Sequence, residues 1–259
     1  MDESGDTLHV LLIGELPLVD ELARLCAGAG HAVSVHLVED ALQGDGSERV
    51  RGDAASSDVA IELMSESVEA KRAIVAALDA ALPPGALLLT SALSTTATLA
   101  GSWTQQPGRV VGFAALPPLA KGSLIEVAAG LRSDMTMVER AREFFGSIGL
   151  ETALVKDSVG LVLPRIVCGL VNEAATALAE GVATAQDIDL AMRLGTNYPR
   201  GPLEWGDLIG LDVVLSVLRG LHEETGDDRY RPAPILKQYV RAGWLGTKTG
   251  KGFYEHRDA

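Results

Sequence analysis

The spacing of hydrophobic residues near the start of the chain predicts a strand, a helix and a second strand. Residues 8–13 form a continuous apolar run, which is typical of a parallel strand buried on both faces. Apolar side chains then recur at helical spacing from Leu18 to Ala29, and Ala32–Val38 predicts another strand. This order indicates a β-turn-α-β unit, on which dinucleotide-binding folds are built.

The same alternation continues through the first half of the chain. The polar, glycine-containing stretch Gly44–Ser57 predicts a loop. Further strands are predicted at Asp58–Leu63, Ala86–Leu89, Val110–Phe113, Leu124–Val127 and Glu151–Val155, and helices at Val68–Leu82 and Met135–Ile148.

After Ser158 the hydrophobic period becomes that of helices. Four helices are predicted, at Pro164–Gly181, Asp187–Leu194, Leu208–Glu224 and Pro234–Ala242, and a single late strand at Gly252–His256. We therefore expect a Rossmann-like α/β domain with a mostly parallel sheet over residues 1–157. An all-α helical domain is expected over residues 158–259.

Composition and charge narrow the class of protein. Hydrophobic residues make up 47% of the 259 positions and charged residues 22%, which is enough for a packed core. The net charge of −13 argues against a nucleic-acid partner, because binding to phosphate backbones needs a basic surface. No apolar run reaches the roughly 18 residues of a membrane-spanning helix, and residues 1–6 do not resemble a secretory signal. The sequence predicts a soluble, cytoplasmic protein that does not enter membranes.

The two cysteines indicate neither a disulfide framework nor a metal site. Cys26 and Cys168 lie in apolar stretches, and neither has a second cysteine or a histidine at metal-ligand spacing. We expect both to be buried thiols in a reducing compartment.

Two long strings in the second half resemble the helical domain of 3-hydroxyacyl-CoA dehydrogenases. They are Gly181–Asp212 and Leu245–His256. Within this family, Gly160–Ala174 is most similar to the degenerate second copy of two-unit dehydrogenases. Weaker similarity extends over Asp58–Ile74, Leu89–Ala100 and Gly112–Val127.

The resemblance implies NAD-dependent hydride transfer at the hydroxyl carbon of an acyl-CoA, and identifies the positions that would perform it. Glu126 matches the family carboxylate that orients the catalytic base, and the base itself falls on Ala114, which cannot accept a proton. We expect Glu126 to be a partly exposed remnant. Ser94 matches the serine that contacts the substrate oxygen, although by itself it is typical of a loop serine. Pro164 replaces the family asparagine that helps to hold the substrate.

The turn expected to hold the cofactor pyrophosphate departs from the family pattern. Gly14 matches the first glycine of G-x-G-x-x-G, whereas Leu16 and Val19 replace the second and third. Glu15 adds a negative charge beside a diphosphate, and Pro17 removes one backbone N–H. These residues predict weak binding of NAD.

Other residues and segments with which the family binds the cofactor and coenzyme A are only partly present in this sequence. Glu62, Glu66 and Lys71 match family positions near the cofactor, although alone they are typical of solvated charges. His36 and Leu37 occupy the region where an acid for the ribose hydroxyls is expected. The segment Glu39–Ser57 is too short for the long helical hairpin with which the family grips coenzyme A.

Two hypotheses follow. The first is a non-catalytic member of the family that forms a homodimer, or a heterodimer with an active homologue, through its helical domain. The predicted helix Leu208–Glu224 and its flanks are apolar on more than one side, which favours coverage by another chain or by the first domain. The second is an active NAD-dependent oxidoreductase on a 3-hydroxyacyl-CoA or related acid, with its chemistry relocated to Ser94 and Glu126.

Overall fold

The computed structural model describes residues 7–41 and 44–256. It divides into two compact units, Met1–Leu161 and Val162–Ala259. The first unit contains the strands and the second is helical, so the change of hydrophobic period near Ser158 marks a real change of architecture.

A seven-stranded sheet forms the first unit. Its strands are β1 (His9–Gly14), β2 (Ala32–Leu37), β3 (Val59–Glu62), β4 (Leu87–Ser91), β5 (Val110–Ala114), β6 (Leu124–Ala129) and β7 (Glu151–Lys156). Their order in the sheet is β2-β1-β3-β4-β5-β6-β7, and every neighbouring pair is parallel except β5 and β6. The order reverses direction at β1 and β3, and in such sheets ligands bind beyond the carboxyl ends of the strands at this switch point.

Helices cover both faces of the sheet. They are α1 (Leu18–Gly28), α2 (Val38–Ala41), α3 (Gly44–Ala54), α4 (Val68–Ala81), α5 (Ala97–Ser102) and α6 (Met135–Ser147). One core layer lies between the sheet and the α1 and α6 side, and a second contains apolar residues of α3 and α4. The central strands are buried on both faces because two core layers enclose them.

Five helices form the second unit. They are α7 (Leu163–Ala179), α8 (Ala185–Thr196), α9 (Pro202–Ile209), α10 (Leu211–Thr225) and α11 (Pro234–Arg241). Helix α10 packs against α7, α9 and α11. Its apolar residues, for which coverage by another chain or by the first domain was expected, are buried in the single chain: Leu211, Val214, Leu215, Val217, Leu218 and Leu221. Their burial therefore does not require another chain.

Three predicted elements differ in the structure. Residues 44–54 form α3 rather than a loop, since Val50 and Ala54 are buried in the core layer beside α4. The helix predicted over 208–224 is divided at Gly210, whose φ of 101° ends α9. The strand predicted at Gly252–His256 is absent from the described residues: this segment makes only isolated bridges, because the Asp207 carboxylate takes two of its backbone N–H groups.

Candidate functional site

The turn after β1 is shaped by contacts within the chain. A Cβ on Gly14 would lie 2.6 Å from Cβ of Leu63, so the glycine is required by the close approach of the segment after β3. The next residue, Glu15, accepts a hydrogen bond from the Ser65 hydroxyl through Oε2, with an O···O distance of 3.1 Å. Leu16 follows with 49% of its surface exposed. A carboxylate and a leucine side chain thus occupy the turn at the switch point of the sheet.

The N-terminus of helix α1, which lies beside this turn, has few features that favour binding of an anion. Pro17 is its N-cap residue and makes no side-chain capping hydrogen bond. Asp20 and Glu21 lie in the first turn, and Oε2 of Glu21 accepts a hydrogen bond from the backbone N–H of Leu119 at 2.9 Å. Burial raises the pKa of Glu21, although the hydrogen bond from Leu119 opposes this. The favourable field of a helix N-terminus is therefore already used by acidic side chains.

The end of β2 carries a histidine rather than an acid. His36 of β2 is the register partner of Ile13 of β1. Its Nε2 lies 2.7 Å from Oδ2 of Asp53 on α3. Leu37 follows as a partly exposed apolar residue. Neither side chain offers a free carboxylate to ribose hydroxyls, which agrees with the departure noted in the sequence.

Glu62 and Lys71 are not solvated charges, and that expectation was wrong. Both side chains are fully buried, and Nζ of Lys71 lies 2.5 Å from Oε2 of Glu62. Thr90 Oγ1 donates to the same carboxylate at 2.7 Å, and the Met64 N–H donates to Oε1 at 2.6 Å. Lys71 also donates to the Met64 carbonyl. Together they form a satisfied polar cluster between β3, β4 and α4, and Glu66 alone of the three family positions is exposed.

Ala114 and Glu126 lie directly opposite each other. They are Cα partners in the antiparallel pairing of β5 with β6, so their side chains project from the same face of the sheet. Glu126 is 5% exposed, contrary to the expectation of a partly exposed carboxylate. It lies on β6, the second strand from one edge of the sheet, between β5 and β7. The structure thus places Glu126 beside Ala114, the position where the sequence comparison predicted the base.

The loop after β4 carries two buried hydroxyls. Ser94 is 8% exposed and Thr95 is 3% exposed. Among the described residues, neither hydroxyl oxygen has a hydrogen-bond partner. A buried hydroxyl without a partner costs about 1–3 kcal/mol, so this pair can bind an oxygen-bearing ligand or water. Ser94 is therefore not an ordinary exposed loop serine. Thr95 was not singled out from the sequence, although its position directly after Ser94 was the signal that could have identified it.

Pro164 lies in the first turn of α7 and is buried. Proline is tolerated there because the first N–H groups of a helix have no partner within the helix. The side chain offers neither a donor nor an acceptor, so the second unit contributes no amide at this position.

The two segments with the strongest family resemblance, Gly181–Asp212 and Leu245–His256, hold the second unit together through hydrogen bonds. The carboxylate of Asp189 accepts hydrogen bonds from the Leu203 and Glu204 N–H groups at the start of α9, and from the Tyr254 hydroxyl. The buried carboxylate of Asp207 accepts from the backbone N–H groups of Phe253 and Tyr254, and lies 2.8 Å from Nε2 of His256. These contacts fasten the segment near residue 254 onto α8 and α9.

The described residues contain no cluster of three or more His, Cys, Asp or Glu side chains arranged to hold a metal ion. Within the same ranges, no helix combines the length and apolar character needed to cross a bilayer. Cys26 and Cys168 are both free and buried, as expected.

Comparison with known proteins identifies both halves of the chain. Residues 160–256 match the 3-hydroxyacyl-CoA dehydrogenase C-terminal domain, and residues 32–158 match the NAD binding domain of the same family. The second match begins at β2, so β1, the glycine turn and α1 lie outside it.

Individual relatives agree with the domain matches. The chain is 40% identical over 207 residues to a 3-hydroxybutyryl-CoA dehydrogenase of Bradyrhizobium diazoefficiens, covering 80% of this chain and 71% of the relative. A probable 3-hydroxybutyryl-CoA dehydrogenase of Bacillus subtilis is 37% identical, with 80% and 72% coverage.

Solved structures show the same fold. FadB2 of M. tuberculosis superimposes with a TM-score of 0.82 at 27% identity, over 96% of this chain and 99% of that one. The (S)-3-hydroxybutyryl-CoA dehydrogenase PaaH1 of Ralstonia eutropha gives 0.78 at 28% identity, over 97% and 100%. The closer similarity to a degenerate second copy is not tested by these comparisons and stays a prediction. The chain belongs to the 3-hydroxyacyl-CoA dehydrogenase family.

Proposed function

We propose that this chain is a catalytically impaired family member that acts in acyl-CoA metabolism as a dimerising or supporting subunit of an active homologue. The observation that carries the proposal is Ala114 opposite Glu126. Oxidation of a 3-hydroxyacyl-CoA needs a group that takes the hydroxyl proton while hydride leaves for the cofactor. A methyl group cannot take that proton.

The cofactor turn supports the same proposal. NAD, when bound, would supply the hydride acceptor of the reaction. A diphosphate does not fit the turn of this chain well, because the Glu15 carboxylate repels it and the Leu16 side chain obstructs the backbone. Pro17 removes a further N–H donor. We therefore propose weak dinucleotide binding.

More polar groups remain that could bind the acyl-CoA substrate than remain for the cofactor. The buried hydroxyls of Ser94 and Thr95 can donate to a ligand oxygen. Pro164, in contrast, holds no substrate oxygen through a side-chain amide. An acyl-CoA bound at these hydroxyls would meet no general base at position 114 and would not be turned over.

Association through the helical unit rests on exposed apolar side chains. They lie on α7 and α8 and in the segment between these helices: Leu163, Ile166, Val182, Leu190 and Leu194. Exposure reaches 71% at Val182 and 77% at Leu194. Exposed apolar side chains of this kind are found at protein-protein contacts, and a stable contact buries at least about 1,200 Å² in total.

The alternative is an active NAD-dependent oxidoreductase with relocated catalytic residues. The buried carboxylate of Glu126 and the two hydroxyls without partners favour it, since they are polar groups concentrated near the carboxyl edge of one sheet. In this case Glu126 itself would have to accept the substrate proton.

Steady-state turnover distinguishes the two. The purified chain, supplied with 3-hydroxybutyryl-CoA and NAD, is expected to produce no NADH above the rate without protein. Added to an active homologue, it is expected to form a mixed complex. NADH production by the chain alone that is lost in Glu126→Gln would support the alternative instead.

A further inference from the structure

A cavity of about 270 Å³ lies at the opposite edge of the sheet from the family site. Its apolar floor is made by Leu8, Val59 and Leu87, which lie at or just before the amino ends of β1, β3 and β4, and by Phe144 of α6. Val59 is a register partner of both Val10 and Leu87, so these strand ends lie side by side. No residue given a role in hydride transfer lines this cavity.

The rim of the cavity is polar and comes mainly from one face of α6. Arg140, Glu143 and Ser147 follow at helical spacing, and His31 lies across from them. The His31 ring stacks on Phe144 with a centroid separation of 6.0 Å. Its Nδ1 lies 3.4 Å from the backbone nitrogen of Leu8, and its Nε2 lies 3.4 Å from Oγ of Ser147. The ring is thus held as part of the wall.

Arg140 supplies a guanidinium to this rim and is solvent-exposed. Nη1 donates to the Gly85 carbonyl at 2.6 Å and lies 3.4 Å from the Met137 sulfur. Within the described residues, no carboxylate forms an ion pair with this guanidinium. A guanidinium at the rim of an apolar cavity is suited to a carboxylate with an apolar body, because it can bind both oxygens of a carboxylate.

The size of the cavity limits the ligand. At about 30 Å³ for each water molecule in the liquid, the cavity holds roughly nine waters. Ligand sites of ordinary metabolites begin at about 300 Å³, so a small molecule fits and a nucleotide does not. We propose that this cavity binds a small aromatic or short-chain aliphatic carboxylate, with its apolar body on Leu87 and Phe144 and its carboxylate on Arg140. The proposal does not depend on the function proposed above.

Titration with benzoate and hexanoate, followed by amide chemical shifts of the full chain, tests this site. We expect saturable binding at millimolar concentration, with shifts concentrated around Leu8, Val59 and Leu87. Arg140→Gln is expected to weaken binding at least about tenfold, as for loss of a charged hydrogen bond. Glu143→Gln is expected to tighten binding, because it removes a negative charge from the rim.

Arg142→Gln serves as the matched control. Arg142 lies on the same helix, pairs with Glu139 and does not line the cavity, so this variant should bind both acids as the wild-type chain does. Absence of saturation with either acid would overturn the proposal. So would equal weakening by Arg140→Gln and Arg142→Gln, or binding of benzyl alcohol as tight as that of benzoate.

Discussion

Ala114 and Glu126 face each other across the one antiparallel pairing of the described sheet, with 2% and 5% of their surfaces exposed. Directly opposite residues in such a pair have Cβ atoms about 4.5–5.5 Å apart. A histidine at position 114 would therefore project beside the carboxylate that orients it. We propose that this pairing keeps the geometry of a base and its orienting carboxylate, with alanine at the position of the base.

We expect that Ala114→His alone does not restore oxidation of 3-hydroxybutyryl-CoA. A general base contributes about 10²–10⁴-fold, but only when cofactor and substrate are held in reactive geometry. We propose that the Glu15–Leu16 turn holds the cofactor poorly, and that Pro164 supplies no side-chain amide to the substrate. NADH formation under saturating substrate is the measurement, with unfolding midpoints of both proteins as the control for folding. Measurable turnover by the single variant would mean that the binding sites are better preserved than we propose.

Lys71→Met is expected to destabilise the chain strongly. Removing one partner of a buried ion pair leaves an uncompensated charge, at a cost of about 3–5 kcal/mol. The remaining carboxylate of Glu62 would keep hydrogen bonds only from Thr90 and the Met64 N–H. Urea unfolding measures the change in free energy.

The double variant Glu62→Gln with Lys71→Met is the control for that prediction. It removes both charges, so it should recover part of the lost stability. If Lys71→Met unfolded at the same urea concentration as the wild-type chain, the pair would not be buried as described.

Both cysteines are expected to be inert in the folded protein. Burial raises the pKa of the Cys26 thiol and of the Cys168 thiol to about 12. A raised pKa lowers the fraction of thiolate at neutral pH, and the thiolate is the reactive form. Ellman's reagent should therefore modify neither residue near pH 8, and should modify both in urea. Rapid modification of the native chain would contradict the burial of these side chains.

Self-association is expected to depend on the apolar face of α7 and α8. Ile166→Glu combined with Leu194→Glu should shift the chain to monomers, since charges in the centre of an apolar contact are costly. Leu131→Glu is the control: Leu131 is 89% exposed but lies in the first unit. Sedimentation velocity at micromolar concentration compares the three proteins. Equal behaviour of both variants would exclude this face as the contact.

The sequence predicted the fold better than the environment of individual side chains. Strands and long helices were found because their apolar periods are unambiguous. Helix α3 was missed because its sequence is polar and glycine-containing, and only the burial of Val50 and Ala54 beside α4 decides its conformation. Short helix α5 was missed for a related reason: the distant Asp157 carboxylate binds its first N–H groups.

The sequence identified which residues to consider for the candidate site, but it did not show which of them contact each other. The pairing of Ala114 with Glu126 follows from a strand register that the chain fixes only on folding. The Glu62–Lys71 pair joins a strand to the following helix, and its full burial depends on Thr90 from a third element. Such clusters form between segments distant in sequence, so the spacing of charges alone indicated solvent.

Titration of the purified chain with NADH tests the central claim most directly, because hydride transfer by this chain would need the dinucleotide whatever the acyl group. Protein fluorescence or calorimetry with increasing NADH should give no saturation in the micromolar range, since Glu15, Leu16 and Pro17 disfavour a diphosphate at the β1 turn. A dissociation constant near 1 μM, about −8 kcal/mol, would contradict the account and favour an active dehydrogenase.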